Sequence, residues 1–203
     1  NVLCSKFKRT MTNKLLFFVL LALCFSGCDM LETHPYDVHI TGERELTNKN
    51  IQLIENKMQG KKTIRFAMIS DTQRWYNSTE DVVKALNARG DIDFVIHGGD
   101  QSDFGVTKEF IWMRDIFNKF QMPYVCLLGN HDCLGTGEDA YRAIYGDPNF
   151  AFTAGNVRFI CLNTNAMEYD YSEPVPDFNF IENELNNLSL IHISEPTRQA
   201  EIS

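Results

Sequence analysis

The sequence predicts an α/β fold, and three patterns along the chain support this prediction. Short, almost entirely apolar segments at residues 64–69, 94–97 and 124–128 alternate with longer amphipathic segments. Strands of a parallel sheet are typically apolar along their whole length, because helices cover both faces of such a sheet. Further along, two apolar stretches flank Gly155-Asn156, which is typical of a β-hairpin. The folded part of the 203-residue chain is therefore expected to begin with strand–loop–helix units and to continue with antiparallel strands.

Amphipathic segments lie between and around these strands. Apolar residues recur every three or four positions in them, as expected of helices that pack one face against a sheet. Ser78 is expected to cap one of these helices, and Gly90 to end it. The predicted helices cover residues 51–60, 79–89, 107–119 and 177–187.

The first 62 residues are expected to precede the folded α/β domain. Residues 11–27 combine Lys14 with an apolar run and end in small residues before Cys28, which is typical of a secretory signal peptide. The run is far shorter than the roughly 20 residues that span a bilayer as a helix. Its ending resembles the lipobox of bacterial lipoproteins, which implies acylation of Cys28 and a lipid anchor in the cell envelope, periplasmic or outer surface. Residues 1–10 are interpreted as upstream sequence read in frame, and residues 28–62 as a tether and a short helix.

The other end is expected to be foreign to the protein. Residues 188–198 read Leu-Ser-Leu-Ile-His-Ile-Ser-Glu-Pro-Thr-Arg, which is the translation of a transposase-type sequencing adapter. We therefore interpret residues 188–203 as a library artefact, and His192 is not a candidate metal ligand. Residues 63–187 remain, and this is an ordinary length for one domain.

The charge balance and the cysteines exclude some classes of function. The chain has 19 Lys and Arg against 27 Asp and Glu, for a net charge of −8. No nucleic-acid partner is expected, because binding the phosphate backbone needs clustered Lys and Arg. Outside the two ends, Cys126, Cys133 and Cys161 remain, without a CxxC spacing, so neither a zinc knuckle nor a disulfide framework is indicated.

Each of the three predicted parallel strands ends in a loop of potential metal ligands. The loops are Asp71-Thr72-Gln73, Gly99-Asp100-Gln101-Ser102-Asp103 and Gly129-Asn130-His131-Asp132. Ligands bind outside the carboxyl ends of the strands in open α/β sheets, so the three loops are expected to converge. Carboxylate and amide oxygens together with imidazole suit Mn, Fe, Zn or Mg. The alternative is a doubly wound domain with acidic loops and no metal.

These loops resemble, in order, the first three motifs of calcineurin-like metallophosphoesterases, D-x-H, G-D-x-x-D and G-N-H-[DE]. The resemblance implies that the chain carries the N-terminal half of a four-layer α/β/β/α sandwich. It also implies hydrolysis of phosphate mono- or diesters with two divalent metal ions. Asp71 would bind the first metal, Asp100 would bridge both, and Asn130 would bind the second. His131 would stabilise or protonate the leaving oxygen, with Asp103 holding its orientation.

Two departures from the family pattern affect the expected site. Gln73 stands where the family has a metal-binding histidine, and a neutral amide oxygen is a weaker ligand than imidazole for Zn or Fe. The family's later histidine motifs, including G-H-x-H, do not occur before residue 187, so we expect this chain to bind metal poorly and to be nearly inactive. The rival hypothesis is a non-catalytic surface lipoprotein that uses the same scaffold to bind a ligand or partner.

Other residues near the loops have less specific interpretations. His97 is expected to be packed or to support the site from behind, rather than to bind metal. Asp132 is expected to be a solvent-facing loop acid. Trp75 either lines a substrate rim or anchors its loop. Asn163-Thr164-Asn165 ends the second hairpin strand near the same face, and a substrate contact is one candidate role for it.

Overall fold

A computed structural model of the chain describes residues 34–172 and 174–186. The chain divides into two compact units, Asn1–Asp37 and Val38–Ser203, and only residues 34–37 of the first are described. The predicted signal peptide, Cys28 and residues 188–203 lie outside the described residues. Among the residues that are described, no helix is both long enough and apolar enough to cross a membrane.

The second unit contains a parallel sheet and an antiparallel hairpin. The parallel sheet has three strands in the order β1 (Phe66–Ile69), β2 (Phe94–His97) and β3 (Tyr124–Cys126). The hairpin pairs β4 (Phe150–Ala154) with β5 (Val157–Cys161). The predicted α/β class, with parallel strands first and a hairpin later, is confirmed.

Five α-helices accompany the strands in the described part of the chain. They are α1 (Leu46–Met58), α2 (Tyr76–Arg89), α3 (Thr107–Phe117), α4 (Gly137–Tyr145) and α5 (Phe178–Asn186). Four of them correspond to predicted helices, and α4 was not predicted. Its buried residues recur at helical spacing ahead of Gly146, so the sequence carried a signal for it: Ala140, Tyr141, Ile144 and Tyr145.

The start of α2 differs from the prediction. The helix begins at Tyr76, three residues earlier than expected, and the Trp75 side chain at its N-cap makes no capping hydrogen bond. Ser78 therefore lies inside the helix. The Thr79 hydroxyl instead donates a hydrogen bond to the Trp75 carbonyl at 2.8 Å, which adds a contact within the first turn. The end of the helix agrees with the prediction, because Gly90 adopts a left-handed conformation with φ 68°.

The parallel sheet lies between two apolar clusters. Val95 and Tyr124 pack with α2, α3 and α4 on one face, and Phe94 and Val125 pack with α1 and the hairpin on the other. Strand β2 is buried along its whole length, as predicted. The same prediction is wrong for β1, where Phe66 and Met68 are 42% and 65% exposed. Strand β1 is at an edge of the sheet, and these two side chains lie on the face that the hairpin covers only partly.

The strand register brings the three loops to one edge of the sheet. Ile69 pairs with His97, and His97 pairs with Cys126, so the three strands end at the same level. Parallel strands place their carboxyl ends on the same side. The loops that follow them are therefore neighbours in space.

Candidate functional site

Backbone hydrogen bonds join the three loops. The Asp71 N–H donates to the Gly99 carbonyl at 3.1 Å, and the Gln73 N–H donates to the Asp100 carbonyl at 3.1 Å. The His131 N–H donates to Oδ1 of Asp100 at 3.0 Å. Asp100 thus contacts both the first and the third loop. The loops that carry the predicted site residues are therefore in contact, while the roles of these residues stay a prediction.

Three of these residues have a left-handed backbone conformation that non-glycine residues rarely adopt. The φ angles are 55° for Asp71, 32° for Gln73 and 60° for Asp100. Each such residue costs about 1–3 kcal/mol and persists only where its surroundings hold it in place. Gly129 is one such constraint, since a Cβ there would lie 2.2 Å from both the backbone nitrogen and Oδ1 of Asp100. The second and third loops can approach this closely only because residue 129 is glycine.

Asp132 connects the second and third loops through its buried carboxylate. Oδ2 accepts hydrogen bonds from the N–H groups of Asp100 at 2.9 Å and Gly129 at 3.0 Å. Oδ1 accepts one from the N–H of Ser102 at 2.8 Å. The expectation that Asp132 faces solvent is wrong, because its side chain is fully buried. Burial raises the pKa of the Asp132 carboxyl to about 7, while the N–H donors act in the opposite direction.

The imidazole of His131 is held by a carbonyl rather than by the expected carboxylate. Nδ1 lies 3.0 Å from the backbone oxygen of Asp103 and 3.9 Å from its carboxylate Oδ1. A carbonyl only accepts hydrogen bonds, so Nδ1 carries the proton and Nε2 is the nitrogen that can exchange one with a ligand. This hydrogen bond raises the pKa of His131, and the carboxylates of Asp100, Asp103 and Asp132 add to the increase, while partial burial opposes it.

The carboxylate of Asp103 pairs with Arg74 instead. Nη2 of Arg74 lies 3.1 Å from Oδ2 and 3.3 Å from Oδ1 of Asp103. The Asp103 side chain is only 5% exposed, whereas that of Arg74 is 65% exposed. A buried carboxylate needs such a partner, because an unpaired buried charge is costly. Arg74, which the sequence analysis did not consider, therefore brings a guanidinium group to the edge of the site.

His97 supports the first two loops from behind. The Gly99 N–H donates to Nδ1 at 3.2 Å, so the ring hydrogen is on Nε2, which lies 2.9 Å from the Thr72 hydroxyl. The side chain is fully buried, and burial lowers the pKa of His97 to about 3. His97 is therefore neutral at ordinary pH and holds Thr72 of the first loop against Gly99 of the second. This agrees with the packed role that was expected.

The Asn163-Thr164-Asn165 segment supports the third loop. The amide of Asn165 donates to the Leu128 carbonyl at 3.0 Å, directly before Gly129. It also donates to Oδ1 of Asn163 at 2.9 Å, and Asn163 itself donates to the Tyr169 hydroxyl at 3.1 Å. Asn163 is only 5% exposed, so its side chain is used within the fold.

A groove of about 360 Å³ opens beside Asp71. Trp75 and Val82 line it with apolar surface, and the hydroxyls of Ser70 and Thr72 lie along the same groove. Trp75 is 62% exposed and lines this groove, and its place at a substrate rim stays a prediction. The Ser70 hydroxyl donates a short hydrogen bond to the Asp71 carboxylate.

The oxygen donors of the loops fit a hard divalent cation in kind. Asp71, Asp100, Asn130 and Gln73 offer carboxylate and amide oxygens, which suit Mn and Mg. Asn130 is an exposed residue, whereas Asp100 and Gln73 are half-buried. Within residues 34–172 and 174–186, however, no group of three His, Cys, Asp or Glu side chains could hold a metal ion. The oxygen donors of the described residues thus agree with a divalent cation in chemical type, and their role as its ligands stays a prediction.

Comparisons with known proteins give one family match and two similar proteins. The calcineurin-like phosphoesterase family model matches residues 64–197. A 3′,5′-cyclic-nucleotide phosphodiesterase from Nostoc sp. is 27% identical over 121 residues, which cover 57% of this chain and 46% of the relative. The chain thus spans about half the length of this relative. A purple acid phosphatase from yellow lupin seeds aligns with a TM-score of 0.48 and 18% identity, over 64% of this chain and 29% of that structure.

The family match has direct consequences for the class of function. It covers more than half of the chain and includes all three loops. The family hydrolyses phosphate esters and uses divalent metal ions, in keeping with the oxygen donors at the strand ends. This chain belongs to the calcineurin-like phosphoesterase family.

Proposed function

We propose that the full-length protein hydrolyses phosphate mono- or diesters with a water molecule that two divalent cations activate. The observation that carries this proposal is the position of Asp100. Its carbonyl accepts from Gln73 of the first loop, and its Oδ1 accepts from His131 of the third. A residue that bridges two cations has to lie at such a junction.

Each loop supplies a donor with a distinct role in the proposal. Asp71 and Gln73 would hold the first cation, Asn130 the second, and Asp100 both. When bound, the two cations would lower the pKa of a water molecule and neutralise charge on the phosphate oxygens. The buried Asp132 carboxylate and the neutral His97 hold these donors in place before any ligand arrives.

His131 would deliver a proton to the leaving group. The oxygen of water forms a bond to phosphorus, and the ester P–O bond breaks. The leaving oxygen takes a proton from Nε2 of His131, and the water releases a proton to solvent. The hydrogen bond to the Asp103 carbonyl raises the pKa of His131, which shifts the imidazole toward the protonated form that this step requires. The acidic surroundings support the same charged form.

A direct assay tests this proposal. The full-length protein is incubated with p-nitrophenyl phosphate and bis(p-nitrophenyl) phosphate in the presence of Mn²⁺. The second substrate is included because the relative from Nostoc is a phosphodiesterase. We expect turnover that chelation abolishes and that Asp100→Asn lowers by more than about 100-fold. Asp139→Asn, an exposed residue of α4, is the matched control and is expected to keep full activity.

A second candidate function is a non-catalytic lipoprotein that binds a ligand or partner with the same scaffold. Gln73 favours it, because an amide is a weak substitute for the family's metal-binding histidine. A folded full-length protein without turnover in any divalent cation would favour this alternative. The variant Gln73→His separates the two candidate functions further. In a phosphoesterase it should increase the affinity for metal. In a protein whose catalytic activity was lost through this residue, it should restore hydrolysis.

We also propose that the protein is anchored in the cell envelope through a lipid on Cys28. The support is the sequence before this residue, an apolar run that ends in Ser26-Gly27. Cys28→Ser should release the protein from the membrane fraction. A variant that stays with the membrane at the wild-type level would contradict the anchor.

A further inference from the structure

Two large apolar side chains are exposed beside His131. Phe104 is 56% exposed and Leu134 is 43% exposed. Phe104 directly follows Asp103, whose carbonyl holds the imidazole at 3.0 Å. The Leu134 N–H donates to the His131 carbonyl at 3.3 Å. Both residues are therefore tied to the histidine through the backbone.

The backbones beside these two residues are in close contact. A Cβ at Gly105 would lie 1.8 Å from the Leu134 carbonyl oxygen, so the backbone after Phe104 packs directly on Leu134. We call these two side chains the Phe104–Leu134 surface. Gly105 has φ 68°, which suits glycine and permits this close packing.

The loop that carries Phe104 is held firmly. The carboxylate of Glu109 accepts hydrogen bonds from the Ser102 hydroxyl at 2.8 Å, the Phe104 N–H at 3.1 Å and the Val106 N–H at 3.3 Å. An exposed phenylalanine on a mobile loop could fold away from water. Here the hydrogen bonds to Glu109 hold the backbone at Phe104, one residue after the Asp103 carbonyl that binds the histidine.

We propose that the Phe104–Leu134 surface receives an aromatic leaving group of the phosphate ester. The inference rests on the proposed function, in which His131 protonates the leaving oxygen. Whatever group is bonded to that oxygen must lie next to His131, and Phe104 and Leu134 are the exposed apolar residues that follow Asp103 and the His131 turn in the chain. An aromatic ring gains apolar burial and ring contacts there, whereas a small alcohol gains neither.

Arg74 adds to the specificity of this surface. Its guanidinium is paired with Asp103, the residue before Phe104, yet its side chain remains 65% exposed. A planar guanidinium stacks on aromatic rings and binds carbonyl or ring-nitrogen acceptors. Arg74 thus offers, beside Asp103, a second group that interacts more favourably with an aromatic leaving group than with an aliphatic one.

Benzyl phosphate and ethyl phosphate provide a suitable pair of substrates. Their leaving alcohols have similar acidity, so a difference in kcat/KM reports binding of the leaving group rather than its intrinsic reactivity. We expect the full-length protein with Mn²⁺ to prefer the benzyl ester by about tenfold. Phe104→Ala should remove most of this preference, while the value for the ethyl ester changes by less than about twofold.

Two further variants complete the test. Leu134→Ala should lower kcat/KM for the benzyl ester by about threefold. Phe178→Ala removes a phenylalanine of α5 that is 68% exposed, and it should change neither ester. Circular dichroism confirms that each variant is folded. If Phe104→Ala does not fold, Leu134→Ala and Phe104→Tyr provide the test instead. Phe104→Tyr keeps the aromatic ring and should therefore keep the preference for the benzyl ester.

The outcomes separate this inference from the proposed function. A wild-type protein that hydrolyses nitrophenyl esters but shows no preference for the benzyl ester overturns the leaving-group inference alone. The same holds if Phe104→Ala slows both esters equally. A folded wild-type protein that hydrolyses no ester with any divalent cation overturns the proposed function and the inference together.

Discussion

The replacement Asp132→Asn tests whether the Asp132 carboxylate holds the second and third loops together. The carboxylate accepts three backbone N–H groups, from Asp100, Ser102 and Gly129, at 2.8–3.0 Å. An asparagine has the same shape but a single acceptor oxygen. Its NH2 group must therefore face at least one of these N–H donors. The change thus turns an attractive contact into a repulsive one without creating a cavity.

The magnitude follows from the number of donors left without a partner. A buried N–H group that loses its acceptor costs about 1–3 kcal/mol. One or two such groups lower the free energy of unfolding by about 2–5 kcal/mol, which is a large part of the 5–15 kcal/mol typical of a domain. The loss should appear as a lower urea midpoint with an unchanged slope, because the unfolded chain exposes the same surface.

Urea unfolding followed by circular dichroism measures this loss. Asp139→Asn in α4 is the matched control, since it makes the same chemical change at an exposed position and should stay within about 0.5 kcal/mol of wild type. If Asp132→Asn unfolds at the wild-type urea concentration, the carboxylate does not hold the second and third loops. The three hydrogen bonds of Asp132 would then contribute little to the stability of the site.

Three further predictions concern the supports of the loops. Gly129→Ala should lower the free energy of unfolding by about 3 kcal/mol or more, because its Cβ would meet Asp100. The control Gly60→Ala lies in open space at φ 74° and should cost only about 1 kcal/mol. Equal losses for the two variants in urea unfolding would contradict this prediction. His97 has a folded pKa lowered to about 3 from 6.5, so its contribution to stability is present above pH 6.5 and is lost as pH falls toward 3. At pH 5 this loss is about 2 kcal/mol, and NMR should show a neutral His97 ring at that pH; a charged ring would refute it. Asn165→Ala should lower stability by about 1–2 kcal/mol in thermal unfolding, because the hydrogen bond to the Leu128 carbonyl is lost. Thr164→Ala, at the exposed neighbouring residue, should cost less than about 0.5 kcal/mol. Similar losses for the two variants would mean that Asn165 does not support the third loop.

The convergence of the three loops could be predicted from the sequence. Strands of uniform apolarity indicate a parallel sheet, and a parallel sheet places its carboxyl ends at one edge. Asp71, Asp100 and His131 follow three such strands, so their proximity required only the correct strand pattern. Helix α4 was not predicted, although the spacing of Ala140, Tyr141, Ile144 and Tyr145 is that of a helix with one buried face.

The contacts around His131 could not be predicted in the same way. The family pattern implies a carboxylate partner, and sequence spacing cannot distinguish the carboxylate of Asp103 from its backbone carbonyl, since both belong to one residue. The presence of Arg74 decides the matter in the structure, because it pairs with the carboxylate at 3.1 Å. The burial of Asp132 was missed for a related reason. A polar residue in a loop is usually exposed, and only the fold reveals that three N–H groups surround it.

The proposed function requires that Asp71, Asp100 and Asn130 bind divalent cations together. Paramagnetic broadening of backbone amide signals by Mn²⁺ tests it most directly, because the effect does not require turnover and detects weak binding. We predict that millimolar Mn²⁺ broadens the amides of residues 71–73, 99–103 and 129–132 first, and that Asp100→Asn abolishes this selectivity. Broadening that begins elsewhere, or that spreads evenly over the acidic surface, would contradict the account.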